Sequence, residues 1–220
     1  MRAVLVALVL ALSALGVACG DDSDDAAGTD TEASGTGGEC ESVEAPETRE
    51  PESREAPTEP LDTSRELALV VETSCGTFTI ELDPEQAPNT AASLVALADD
   101  GYFDDVTFHR VVPGFVIQGG DPTGTGAGGP GYTTVDAPAA DAAYTRGVVA
   151  MAKSGAEAPG TAGSQFFVVT AEDAGLPPDY AIVGEVTEGM DTVDRIEALG
   201  AGDGPPSQTV LIEAITVEES

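Results

Sequence analysis

Residues 106–121 read VTFHRVVPGFVIQGGD, which commits this part of the chain to short strands joined by a tight turn. Alternation along Phe108-His109-Arg110-Val111-Val112 suits a strand, whose side chains point to opposite faces with period two. Pro113-Gly114 marks a turn. Phe115-Val116-Ile117-Gln118 reads as a second strand, stopped by Gly119-Gly120. A cation and an amide thus stand beside aromatic side chains on rigid strands. That arrangement suits an apolar pocket with a few placed donors. The rival is a buried hairpin whose Arg110 merely turns its charged head outward.

From Leu67 onward, short apolar runs are punctuated by Gly and Pro. Leu67–Glu72 and Thr77–Leu82 flank Ser74-Cys75-Gly76 as a hairpin. Further strands are predicted near 106–112, 115–118, 147–152, 165–169, 181–187 and 209–218. Ala87-Pro88-Asn89-Thr90 opens a helix to about Asp99, with Leu94, Val95 and Leu97 inward and Gly101 as its stop. A second helix is expected from about Met190 to Leu199, ending at Gly200. Many short strands with two helices suggest a mainly β fold and a closed antiparallel barrel.

A second segment runs Gly147-Val148-Val149-Ala150-Met151-Ala152, then through a Gly/Ala/Pro loop to Gly163-Ser164-Gln165-Phe166-Phe167-Val168-Val169. Together the two segments closely resemble the signature of cyclophilins, the peptidyl-prolyl cis/trans isomerases. That signature is an FHR–PGF–QGGD block followed by an MA…GSQFF block, and order, spacing and identity all match. The resemblance covers residues 66–219. It implies a closed eight-stranded antiparallel barrel capped by two α-helices, with proline-containing peptides as substrates and no cofactor.

The resemblance also implies roles. Arg110 is the principal catalytic residue, bonding the prolyl carbonyl and assisting the twisted nitrogen. Phe115, Val116, Phe167 and Leu176 line the proline pocket. Gln118 and Gln165 hydrogen-bond Arg110 or the substrate backbone. Ala152 and Lys153 meet that backbone through main-chain groups, and Gly124 lies in the turn flanking the pocket. Three positions depart from the common pattern. Lys153 stands where Asn is common, which adds a charge at the rim. Tyr180 stands where His is common and keeps a ring wall. Gly175 stands where Trp is common, which implies weak inhibition by cyclosporin. These departures keep open a second reading, a Pro-peptide-binding chaperone module with little catalysis.

The reaction fits such a residue set. Amide resonance sets a barrier of about 18–20 kcal/mol to peptide-bond rotation. Both isomers of an X–Pro bond are accessible, so the rate is limiting. No covalent step is needed, only tighter binding of the twisted amide than of the planar one. Arg110 offers several fixed donors and stays charged at any physiological pH. His109, the only His, has no nearby Cys to suggest a metal site, and isomerisation needs no base, so it reads as structural. Gly124-x-Gly126-x-x-Gly129 formally matches a dinucleotide fingerprint. The Pro130-Gly131 that follows cannot open the helix that motif requires.

Composition bounds the partners. The formal net charge is -32, which argues against nucleic acid and against attraction to anionic lipid. Only Arg110, Arg146, Lys153 and Arg195 are basic after Glu66. Met1-Arg2 followed by an apolar run from Ala3 to Ala18 is too short to span a membrane and reads as a signal peptide, residues 1–18. Cys19, followed by Gly20-Asp21-Asp22-Ser23, resembles a bacterial lipoprotein acylation site, although Leu15 sits one position further from Cys19 than usual. Several acyl chains would hold the protein at the outer face of the cytoplasmic membrane. Gly16-Val17-Ala18 also fits cleavage for simple secretion, the alternative.

Residues 19–65 read as an acidic disordered tether and 66–220 as the isomerase domain. With Cys19 acylated, Cys40 and Cys75 remain as a potential disulfide in an oxidising compartment, with two free thiols as the alternative. The expected partners are proline-containing peptides and unfolded extracytoplasmic proteins. Membrane contact is expected only through the lipid anchor, and the chain is expected to be a monomer.

Overall fold

The computed structural model describes residues 39–59, 61 and 65–219. The expected signal peptide at 1–18, the acylation site Cys19 and the tether up to residue 38 lie outside the described residues. The elements are β1 (Leu67–Thr73), β2 (Gly76–Leu82), α1 (Pro88–Asp99), β3 (Val106–Thr107), β4 (Arg110–Val112), β5 (Val116–Gly119) and β6 (Thr134–Val135). They continue with β7 (Val148–Met151), β8 (Thr161–Ala162), β9 (Phe166–Val169), β10 (Ile182–Glu188), α2 (Met190–Glu197) and β11 (Leu211–Glu219).

The fold is mainly β, as expected. Its main sheet is antiparallel, in the order β3-β11-β1-β2-β10-β7-β9-β5-β4, with β6 and β8 as a separate ribbon. The expected closed eight-stranded barrel needs correction to a curled nine-stranded sheet whose edge strands, β3 and β4, do not pair with each other. The single strand expected over 106–112 breaks at Phe108-His109. On one side of the break β3 pairs with β11, and on the other β4 pairs with β5. The two outermost strands are therefore neighbours in sequence, which forces the sheet to curl on itself. Phe108 anchors the break. Its N–H donates to Val210 O at 3.0 Å and its ring is fully buried. Phe108→Ala would cost about 3–5 kcal/mol by opening a cavity there.

Alternation along the strands separates two apolar layers. Leu69 and Val71 of β1, Phe78 and Ile80 of β2, Phe166 and Val168 of β9, and Ile212 and Ile215 of β11 point into the main core. Val116, Ala150, Phe167 and Val169 alternate with core residues of β5, β7 and β9. They form a second cluster on the other face, edged by Phe115, Leu176 and Tyr180. One set of strands thus supplies both a core and a second apolar cluster on the opposite face. Helix α1 starts at Ala87, which has no capping side chain. The carboxylate of Asp136 takes that role from a distant loop, accepting from Thr90 N at 2.7 Å and Thr90 Oγ1 at 2.6 Å.

The tail departs from the expectation of a free tether. Residues 39–59 form no helix or strand, yet they lie against the domain. Cys40 is bridged to Cys75, and Glu41 N donates to Ser74 O at 2.7 Å. Arg49 donates to the carbonyls of Tyr102 and Asp104. Arg54 N donates to Pro130 O at 2.7 Å. The Arg54 guanidinium pairs with Asp100 at 3.1 Å and lies 5.7 Å from the centre of the Tyr102 ring. Two cations in a chain this acidic find carbonyls and carboxylates on the domain, and a composition count does not register such contacts.

Candidate active site

Strand register builds the site. Arg110 of β4 lies opposite Gln118 of β5, Gln118 opposite Phe167 of β9, and Phe167 opposite Ala150 of β7. Paired residues share a face, so these four form a row across the sheet on the pocket side. Arg110 is 30% exposed, with its guanidinium carbon 5.7 Å from the centre of the Phe115 ring.

A chain of amides holds the cation. Arg110 NH1 donates to Gln118 Oε1 at 3.2 Å, and Gln118 Nε2 donates to Gln165 Oε1 at 3.1 Å. Gln165 Nε2 then donates to Gly128 O at 2.9 Å. Each amide has both ends engaged, so neither is free to flip without losing a bond. The glycine-rich loop at the far end is fixed by Asp121. Its carboxylate accepts from Thr123 N (2.8 Å), Thr123 Oγ1 (2.8 Å), Gly126 N (2.7 Å) and Gly128 N (3.0 Å). Burial would raise the Asp121 pKa, but these donors outweigh it and hold the group below the usual carboxylate value. A side chain at Gly128 would collide with that carboxylate. The loop amides that a nucleotide phosphate would need are already bound to Asp121.

Val116 and Phe167, both buried, belong to the second apolar cluster, and Phe115, Leu176 and Tyr180 pack against it half-buried. Tyr180 stands edge-on to Phe167, with ring centres 5.6 Å apart, and edge-on to Tyr144 at 6.0 Å. Tyr144 Oη donates to Tyr180 O at 2.7 Å and accepts from Tyr180 N at 3.0 Å. The position read as Tyr-for-His is thus locked by a second tyrosine. Ala152 N donates to Gln165 O at 2.9 Å, which fixes the end of β7 beside the amide chain.

One expectation is corrected. The Lys153 ammonium is not a rim charge. Its side chain is 2% exposed and pairs with Asp179 at 2.7 Å. It also donates to Glu157 O at 3.2 Å and lies 5.5 Å from the centre of the Tyr180 ring. Asp179 neutralises it and the loop 153–157 covers it. Gly124 sits in the turn with φ +66 and is exposed, and its neighbours Thr123, Thr125 and Gly126 line the adjacent cleft. Gly175 occupies an exposed turn at φ +62 with open space around it. The backbone there is one that L side chains rarely adopt.

Asp203 is a site residue that sequence reading missed. It lies in the loop between α2 and β11 and accepts from Arg110 Nε at 2.6 Å. That hydrogen bond and the charge of Arg110 hold its carboxyl below the usual value. The backbone locks the loop in place, with Val111 N donating to Gly204 O at 2.8 Å. No local pattern around Asp203 marks it, because the partners are 93 residues apart. His109 is turned inward, and neither ring nitrogen has a hydrogen-bond partner among the described residues. Burial lowers its pKa, with the charge of Arg110 adding to the effect and Asp121 opposing it.

The arrangement is an apolar cluster on one face of the curled sheet, with a positioned cation beside it that can donate to a carbonyl or an amide. Comparison with known proteins names the family. The model for cyclophilin type peptidyl-prolyl cis-trans isomerase/CLD matches residues 68–217. Peptidyl-prolyl cis-trans isomerase-like 1 of Aspergillus oryzae is 41% identical over 157 residues, covering 69% of this chain and 96% of that protein. The crystal structure of a Cryptosporidium parvum cyclophilin type peptidyl-prolyl cis-trans isomerase superposes with a TM-score of 0.65 at 32% identity. It covers 70% of this chain and 99% of that one. A second structure of the Cryptosporidium protein, determined in the presence of the dipeptide ala-pro, gives 0.64 at the same identity and coverage. The chain belongs to the cyclophilin-type peptidyl-prolyl cis-trans isomerase family.

Proposed function

We propose that the protein accelerates X–Pro isomerisation during the folding of extracytoplasmic proteins, with Arg110 stabilising the twisted amide. The observation that carries this reading is the Arg110 guanidinium held at the pocket rim by Gln118 and Asp203. The proline ring enters the hollow floored by Val116 and Phe167. Main-chain groups of Ala152 and Lys153 hold the peptide backbone alongside. As the bond twists, resonance is lost and the nitrogen gains lone-pair character. Guanidinium donors already in place meet that change without reorganisation. No proton, metal or covalent bond changes hands. A protease-coupled assay on an Ala-Pro peptide tests the reading. Wild type accelerates isomerisation and Arg110→Ala loses most of the acceleration, whereas an inactive wild type overturns the proposal.

The proposal extends to location. Export through the signal peptide and acylation of Cys19 place the domain outside the cytoplasmic membrane, where the Cys40–Cys75 bridge is chemically at home. The strong negative charge favours a monomer through self-repulsion. Membrane fractionation tests the anchor: Cys19→Ala releases the protein, and retention of that variant in the membrane contradicts it.

A further inference from the structure

A cleft of about 1130 Å³ begins at Gln118 and Gln165 and runs along Gly126–Gly131. One of its walls does not come from the barrel. Thr48–Glu52, in the tail, lines it. This segment is pinned on either side and in the middle. The Cys40–Cys75 bridge and the Glu41 N bond to Ser74 O hold the upstream end. Arg49 is tied to the carbonyls of Tyr102 and Asp104. Downstream, Arg54 bonds Pro130 and Asp100, and Ser53 packs on Gly131 so closely that a Cβ there would sit 2.7 Å from Ser53 Oγ.

We infer that Thr48–Glu52 is a specificity wall of the substrate cleft, selecting peptides with a basic side chain close to the proline. The inference rests on reading the site as a binder of proline peptides. The cations that reach the cleft are all committed: Arg49 to carbonyls and Lys153 to Asp179. Of the carboxylates there, Glu50 is exposed and has no ion pair among the described residues, whereas Glu52 is held by Arg54, which also pairs with Asp100, and Glu157 accepts from Ser154 N. Acidic groups alone would be an ordinary solvated surface on a chain of net charge -32. Their docking opposite Gln118 and Gln165 turns them toward the path a peptide takes on leaving the proline pocket. A basic side chain on that path gains attraction, and an acidic one meets repulsion in a partly enclosed cleft.

The test uses the full chain and matched Ala-Pro peptides carrying Lys or Glu at each position flanking the dipeptide. Affinity is read by fluorescence anisotropy and turnover by the coupled assay. At low salt one flanking position should favour Lys by roughly threefold to tenfold, the scale of one or two exposed charge pairs, and the preference should shrink at high salt. Glu50→Lys/Glu52→Lys, both on the surface, should invert it. A ratio near one at every position, or one unchanged by the reversal, overturns the wall while leaving isomerisation intact. A Lys preference in binding without turnover supports the wall and overturns the isomerase reading. No binding of any peptide overturns both.

Discussion

Removal of the Cys40–Cys75 bridge should destabilise the domain by a predictable amount. The bridge spans a sequence separation of 35. Closing a loop of that length in the unfolded chain removes about 13 cal/mol/K, or about 4 kcal/mol at 25 °C, on the chain-entropy account. Part of this is returned if the tail gains freedom in the folded protein once the bridge is gone. The contacts of Glu41, Arg49 and Arg54 limit that return by keeping the tail docked. The expected net loss for Cys40→Ser/Cys75→Ser is about 2–4 kcal/mol, a fall in Tm of roughly 5–15 °C for a domain of this size. Calorimetric melts of the oxidised full chain against the double variant measure it. A shift below about 2 °C would refute the reasoning, because a clamp on a docked tail cannot be that weak.

Asp203→Ala should lower kcat by roughly threefold to tenfold with little change in KM, because it loosens the cation rather than the pocket. Asp203→Asn, which keeps the acceptor, should recover most of the loss, and an equal loss in both variants would contradict a positioning role. His109 is the only His, so its ring titration can be followed by proton NMR without ambiguity. The midpoint should fall below 6.5. The unfolded chain then binds more protons than the folded one between that midpoint and 6.5, so stability should drop as pH falls through this window. His109→Phe should remove that slope, and a midpoint above 6.5 would refute the burial argument. Gly175 supplies no ring surface, so cyclosporin should inhibit only weakly; a direct titration showing nanomolar inhibition would contradict this.

The row of Arg110, Gln118 and Phe167 was legible because it depends on local pattern. Period-two alternation puts Arg110, Gln118 and Phe167 on one face, and two long motifs bracket them. The hairpin β1–β2 and both helices were legible for the same reason. What could not be read depends on partners far away in the chain. The break at Phe108-His109 arises because β3 and β4 pair with strands on opposite sides of the curl. Two-residue strands such as β6 and β8 carry no periodicity at all. Lys153 counts as an exposed charge until Asp179, 26 positions on, is seen to neutralise it. Asp203 reaches Arg110 only because the chain folds its loop back onto β4. The tail shows the limit of composition. Residues 39–59, expected to be a disordered tether, form no helix or strand, yet two arginines and one cysteine hold them on the domain.

The central claim is that Arg110 acts on the twisted amide rather than on binding alone. NMR exchange on a bound Ala-Pro peptide separates the two, giving the on-enzyme interconversion rate and the affinity from one sample. In wild type the cis and trans signals should exchange rapidly on the enzyme. In Arg110→Ala the peptide should still bind within about tenfold, while interconversion slows by roughly a hundredfold or more. Equal interconversion rates in the two proteins, or a loss confined to affinity, would contradict the account.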